Sequence, residues 1–165
     1  MKSTLIKIKS ALIILVALAY QSTVMAQETL YPFSDKGKYG YINKTGKVVL
    51  PAQFEFAEKF YEGLAVVKQG GKRGFIDATG KMVIPAQFDQ KTDGYFSDGL
   101  ACVKLAGKYS YIDKTGKTVI TPKCEHAYKF SEGMARLQIG LKFAYIDKTG
   151  AVVVKPEYDG GWDFK

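Results

Sequence analysis

Lys72-Arg73-Gly74-Phe75-Ile76-Asp77-Ala78-Thr79-Gly80 is one of four versions of the same sentence in this chain of 165 residues. The others are Lys38-Tyr39-Gly40-Tyr41-Ile42-Asn43-Lys44-Thr45-Gly46, Lys108-Tyr109-Ser110-Tyr111-Ile112-Asp113-Lys114-Thr115-Gly116 and Lys142-Phe143-Ala144-Tyr145-Ile146-Asp147-Lys148-Thr149-Gly150. The closing glycines Gly46, Gly80, Gly116 and Gly150 stand 34, 36 and 34 residues apart. A fixed period of this length is the mark of a tandem structural repeat.

Working outward, each copy has strand-like runs on both sides. Before it comes Gly63-Leu64-Ala65-Val66-Val67-Lys68, which returns as Gly99-Leu100-Ala101-Cys102-Val103-Lys104 and Gly133-Met134-Ala135-Arg136-Leu137-Gln138. After it comes Gly80-Lys81-Met82-Val83-Ile84-Pro85 and its relatives. These runs are short, rich in β-branched and aromatic residues, and bounded by Gly, Asp and Pro, as strands are. Asp77-Ala78-Thr79-Gly80 has Asp where its carboxylate can accept backbone N–H groups and Gly where positive φ is needed, which is a type I turn closed by a glycine bulge. The sequence therefore predicts an all-β fold. It consists of four tandem three-stranded antiparallel meanders in an extended, solenoid-like stack, with a closed, propeller-like ring as the alternative. Residues 30–35 align without a gap with residues 64–69, so the first unit opens on a strand, and Pro32 suits an edge strand because it has no N–H to donate. The segment between units, such as residues 55–62, reads as a connection. The tail Gly160-Gly161-Trp162-Asp163-Phe164 reads as the start of another one.

Recurrence within the chain shows what the unit needs. Ile42, Ile76, Ile112 and Ile146 never vary, nor do Val49, Val83, Val119 and Val153. Apolar alternation at period two predicts that these positions face a core. Gly40, Gly74, Ser110 and Ala144 are always small, which predicts close approach of a neighbour, with Phe60, Phe96 or Phe130 as the candidate. Burying a large apolar side chain contributes about 1.5–3 kcal/mol. Ordering the backbone costs about 1–2 kcal/mol per residue, so one such unit cannot stand alone and needs stacked neighbours.

These residues resemble the WG-repeat (KWG-repeat) proteins. The family pattern of Lys, aromatic, Gly, aromatic, Ile, Asp is matched by Lys38-Tyr39-Gly40-Tyr41-Ile42. The later elements are matched by Val49-Leu50-Pro51-Ala52-Gln53-Phe54 and by Phe130-Ser131-Glu132-Gly133-Met134-Ala135. The resemblance covers nearly all of residues 28–165 and implies bacterial β-rich repeat modules, often exported, with no common activity and no catalytic residues to carry over. The tryptophan that names the repeat is replaced by Tyr39, Arg73, Tyr109 and Phe143, so a function resting on that ring is not implied.

Residues 1–26 read as a secretory signal peptide. Lys2, Lys7 and Lys9 precede an apolar run over residues 11–19, and Val24-Met25-Ala26 precedes a cleavage point before Gln27. The apolar run is too short to span a bilayer, which needs about 20 residues. The remaining domain, residues 27–165, divides into units at about 28–62, 63–98, 99–132 and 133–165. Its 21 basic and 16 acidic residues give a net charge of +5, spread along the chain, which is no nucleic-acid footprint. Cys102 stands where other units have Val66 or Arg136. Cys124 stands where they have Phe54, Phe88 or Tyr158. The pair reads as two independent substitutions, with a disulfide as the alternative in an exported chain.

No catalytic set, cofactor motif or metal set emerges. Asp113-Lys114-Thr115-Gly116 resembles the phosphorylation motif of P-type ATPases, but its sister turns carry Asn43 or Ala78 and turn geometry already explains it. His126 is the only histidine. The carboxylates of Glu62, Asp98 and Glu132 recur once per unit and suit turn capping. Asn43-Lys44-Thr45 matches the glycosylation pattern, relevant only to a eukaryotic host. Two features could bind a partner. The first is aromatic: an inner row of Tyr41, Phe75, Tyr111 and Tyr145, expected to be buried, and an outer row of Tyr39, Arg73, Tyr109 and Phe143, the candidate ligand-binding residues. The second is basic: Lys44, Lys47, Lys81, Lys114, Lys117 and Lys148 at the turns, which would align in a stack or simply keep an edge solvated. The expected function is a non-enzymatic binding or scaffolding module, periplasmic, envelope-associated or secreted, that engages an extracytoplasmic protein or glycan. The alternatives are a structural envelope spacer and, much less favoured, a cryptic hydrolase.

Overall fold

The computed structural model describes residues 28–89 and 94–163. Residues 1–26, read above as a signal peptide, and Phe164 lie outside the described residues. The first sheet contains Leu30–Asp35 (β1), Lys38–Asn43 (β2) and Val48–Phe54 (β3). The second contains Phe56–Tyr61 (β4), Leu64–Gln69 (β5), Lys72–Ile76 (β6) and Met82–Phe88 (β7). The third contains Ala101–Leu105 (β8), Lys108–Ile112 (β9) and Thr118–Ile120 (β10). The fourth contains His126–Ser131 (β11), Met134–Ile139 (β12), Lys142–Asp147 (β13) and Val152–Tyr158 (β14). Each sheet is an antiparallel meander of sequential neighbours.

The expected three-strand unit is present in all four sheets, and two of them add a strand. The connections over residues 55–62 and 125–132 contain β4 and β11, which pair with β5 and β12. In the third sheet the described residues of the same place hold a bridge between Ser97 and Leu100. The sheets are therefore cut near Glu55 rather than after Glu62. The hairpin that joins β4 to β5 explains the cut: Glu62 and Gly63 take φ of 50° and 88°, the paired positive angles of a type I′ turn that matches strand twist.

The turn between β6 and β7 is built as its residues dictate. Asp77 Oδ1 accepts the Thr79 N–H (2.9 Å), the Thr79 hydroxyl (2.6 Å) and the Lys81 N–H (3.1 Å). The Gly80 N–H donates to the Asp77 carbonyl (2.9 Å), with Gly80 at φ 85°. Asp113 and Asp147 repeat the arrangement with Thr115 and Thr149. Asn43 does the same with an amide oxygen, its Nδ2 donating to Glu28. The threonine hydroxyl, then the backbone N–H groups, hold the Asp77, Asp113 and Asp147 carboxyls below the usual range. A depressed folded pKa gives stability that is present above the unfolded value, about 3.9, and is lost as pH falls through the folded one. The melting temperature should therefore hold above about pH 5 and fall in acid. A triple Asp77→Asn, Asp113→Asn, Asp147→Asn variant should show a shallower acid limb in the same thermal melts, because Asn43 already works without a titrating group. An unchanged limb would locate the acid sensitivity elsewhere.

The cores lie between sheets. Tyr41, Leu50 and Phe54 of the first sheet are buried with Ala57, Ala65, Val67 and Ile76 of the second. The opposite face of the second sheet, with Val66, Phe75, Ile84 and Phe88, is buried with Ala101, Val103 and Ile112 of the third. Cys102, Tyr111 and Ile120 are then buried with Phe130, Ala135, Leu137 and Ile146 of the fourth. The isoleucine face of each sheet thus covers the aromatic face of the sheet before it. One ring pair marks each interface: Tyr41–Phe60 at 4.9 Å, Phe75–Phe96 at 5.0 Å and Tyr111–Phe130 at 4.8 Å between centroids. The tyrosine hydroxyls are satisfied by the following connection, Tyr41 donating to the Glu58 carbonyl and Tyr111 to the Tyr128 carbonyl, both at 2.7 Å. Tyr145 donates to the Trp162 carbonyl (2.9 Å), so the tail does begin a further connection. Among the described residues no sheet closes into a barrel, and none of the three clusters joins the first sheet to the fourth, so the units form an open stack rather than a ring.

Two expectations about the core need correction. What approaches the small residues is backbone rather than a phenylalanine ring. Between Arg73↔Phe88 and Phe75↔Ile84 the β7 strand bulges, and a Cβ on Gly74 would stand 2.7 Å from Ala86 N and from Ile84 O. Gly40 faces Pro51 and Ala52 in the same way. The second correction concerns the invariant valines: Val49, Val83, Val119 and Val153 are 37, 37, 48 and 56% exposed. They sit on edge strands, where side chains on the second face run past the margin of the neighbouring sheet.

Candidate binding surface

The third strand of every unit, β3, β7, β10 or β14, is an outer strand of its sheet. The turn glycine of each unit lies against the aliphatic residue of the unit before. A Cβ on Gly80 would stand 2.9 Å from Leu50 Cδ2, one on Gly116 3.0 Å from Ile84 Cγ2, and one on Gly150 3.1 Å from Ile120 Cγ2. Val48 and Val152 are exposed beside Val49 and Val153. Pro51 and Pro85 lie in β3 and β7 and Pro156 in β14, so these edges lack ladder donors and present side chains more readily than backbone.

Beside the valines runs the lysine row expected from the sequence. Lys44, Lys47, Lys81, Lys114, Lys117 and Lys148 are all exposed. Lys114 is engaged within the stack, donating to the Glu62 carbonyl (2.9 Å) and pairing with the Glu62 carboxylate (3.2 Å). The recurrent carboxylates cap turns, as expected, but do so between units. Glu62 accepts the Gly99 N–H (3.1 Å) and Asp98 accepts the Gly133 N–H (2.7 Å).

The aromatic rows fare differently. Of the inner row, Tyr41, Phe75 and Tyr111 are fully buried, while Tyr145 is half-buried against the tail. The outer row, Tyr39, Arg73, Tyr109 and Phe143, occupies equivalent places in the four units but is no open ladder. Tyr39 packs on Phe56 (5.8 Å between centroids), Tyr109 on His126 (6.0 Å) and Phe143 on Tyr128 (6.5 Å). The Arg73 guanidinium stands 5.0 Å from the centre of the Phe56 ring and pairs with Glu58 (3.8 Å). Tyr109 is only 9% exposed. Residues of the connections cover this row, the following connection at Tyr39 and Tyr109 and the preceding one at Arg73 and Phe143, which was not legible in the sequence because the connections read as strandless.

Both cysteines are free thiols. Cys102 is buried like the valine it replaces and lies 3.4 Å from the Ala127 carbonyl. Burial, with a smaller push from Glu125, raises the Cys124 thiol to about 11. His126 is exposed. No group of three or more His, Cys, Asp or Glu side chains is placed to hold a metal ion among the described residues. No helix among them is long and apolar enough to cross a membrane.

These features define an open stack of antiparallel meanders, each unit roofed by the next and carrying a repeated side-chain row on its outer strands. The WG containing repeat matches residues 39–72, 74–109, 109–142 and 143–165, and the chain belongs to that family. No curated protein matches it.

Proposed function

We propose that the chain is an exported, non-enzymatic binding or scaffolding module that engages an extracytoplasmic protein or glycan through its stacked outer strands. The observation that carries this reading is the identity of Val49, Val83, Val119 and Val153 in all four units despite their exposure. Burial accounts for Ile76, Ile112 and Ile146 but not for these valines. An apolar row beside a lysine row fits a partner surface that is apolar and acidic, which favours a protein over a neutral sugar; the recurring rings of Tyr39, Tyr109 and Phe143 are packed against other rings, which leaves no repeated aromatic ladder for a glycan. The leader over residues 1–26 supports export.

A pull-down of the leader-free chain from envelope extract, read by mass spectrometry, tests the proposal against a Val83→Lys, Val119→Lys variant. Both substitutions lie on exposed positions and should leave the melting temperature close to that of the parent. The expected result is a defined species enriched by the parent chain and lost with the variant. Enrichment of the same species by both would remove the valine row from the interface. Recovery of nothing by either would favour a structural spacer.

A further inference from the structure

The fourfold pattern is broken at one place. The third strand of a unit ends on an aromatic ring, Phe54, Phe88 or Tyr158, paired across the ladder with Tyr39, Arg73 or Phe143. The third unit has Cys124 there instead. Its ladder between β9 and β10 ends at Tyr111↔Ile120, so the segment around Thr121 and Pro122 leaves the sheet without reaching Tyr109. Between them is a cleft of about 360 Å³, walled by Tyr109, Pro122 and Cys124 with Lys108 and Lys123 also lining it. That volume is in the range of small-molecule sites, about 300–1,000 Å³.

Tyr109, Pro122 and Cys124 give the cleft an apolar wall, Thr121 and the Gly107 backbone line it too, and its charged lining groups are both cationic. Tyr109 is held in place, with Lys104 Nζ 4.7 Å from its centroid on the ring face and His126 packed against it. The neighbouring carboxylates already have partners: Asp89 accepts the N–H of Gly107 at the rim of the cleft (3.1 Å) and pairs with Lys72 (2.8 Å), and Glu125 accepts the Gly140 N–H (2.8 Å). In the first two units the corresponding ring, Phe54 or Phe88, is buried. The geometry points to a binding site for a small molecule in which a planar ring bears an anionic group. The ring takes the place of the missing aromatic side chain, and the anion lies by Lys108 and Lys123. This inference is independent of the valine row.

Phenyl phosphate is the probe, titrated into isotope-labelled protein while amide shifts are followed, with inorganic phosphate and benzyl alcohol as controls. Saturable shifts at Gly107, Lys108, Tyr109, Lys123 and Cys124 are expected, weaker with either control. Lys108→Ala or Lys123→Ala should each weaken binding about two- to fivefold, the scale of an exposed charge pair. Cys124→Phe should refill the cleft and abolish the shifts. If that variant does not give a folded spectrum, Lys123→Glu decides, since it leaves the walls intact and should weaken binding further than Lys123→Ala. Absence of saturable shifts would overturn the assignment. So would equal binding by Cys124→Phe, or binding of inorganic phosphate as tight as that of phenyl phosphate.

Discussion

Replacing Phe130 by Ala should cost about 3–5 kcal/mol, the scale for deleting a buried aromatic ring. Phe130 is fully buried on β11 and its ring stands 4.8 Å from that of Tyr111 in the sheet before. Its removal would strip the Tyr111 ring of its cover and open a void between the third and fourth sheets, where neither neighbour is free to collapse. Phe96→Ala should behave alike at the second interface, where its ring is 5.0 Å from Phe75. Phe60→Ala should cost visibly less, because Phe60 is only half-buried although its ring is 4.9 Å from Tyr41. Chemical denaturation of the three variants checks the ranking. Equal losses at Phe60 and Phe130 would mean that these rings do not act as interface plugs. Against a total stability of about 5–15 kcal/mol for a domain, the two larger losses approach unfolding.

A second large effect is expected at Gly74. A Cβ there would meet Ala86 N and Ile84 O at 2.7 Å and Ala86 Cα at 2.8 Å, all backbone atoms that cannot rotate aside. Gly74→Val should cost about 3 kcal/mol and Gly74→Ala about 1 kcal/mol, the two ends of the range for overpacking. The fourth sheet carries Ala144 at this place, beside a strand with the same bulge between Phe143↔Tyr158 and Tyr145↔Val154. That bulge accommodates a methyl group, so Gly74→Ala should fold with amide shifts concentrated over residues 84–88. If Gly74→Val melted with the parent chain, the bulge would not be closed over the glycine.

The strands flanking the turns were legible because turn chemistry is local. Asp77, Thr79 and Gly80 specify their hairpin without help from the rest of the chain, and β1 and β14 run from Leu30 to Asp35 and from Val152 to Tyr158, as internal alignment placed them. β4 and β11 were not legible. In each the register shifts, between Ala57 and Phe60 and between Ala127 and Phe130, so the apolar positions fall three apart and the period of two is lost. The valines misled for a different reason. Recurrence reports what every unit needs, but an edge strand also favours β-branched residues, and its exposed face follows the same alternation as its buried one. The cleft was half legible: Cys124 announced a missing ring, but the early end of the β9–β10 ladder depends on how Thr121 and Pro122 replace the Pro-Ala pair of the first two units.

The stack itself is tested most directly by nuclear Overhauser contacts between consecutive sheets. The turn glycines should show cross-peaks to methyl groups one unit back: Gly80 Hα to Leu50, Gly116 Hα to Ile84 and Gly150 Hα to Ile120, since a Cβ added at these glycines would stand 2.9, 3.0 and 3.1 Å from the methyl carbons, which leaves no room for an intervening group. All three should appear in one spectrum of the protein without residues 1–26. If the cross-strand contacts within each meander are seen and these three are missing, the sheets fold but do not roof one another, and the account fails.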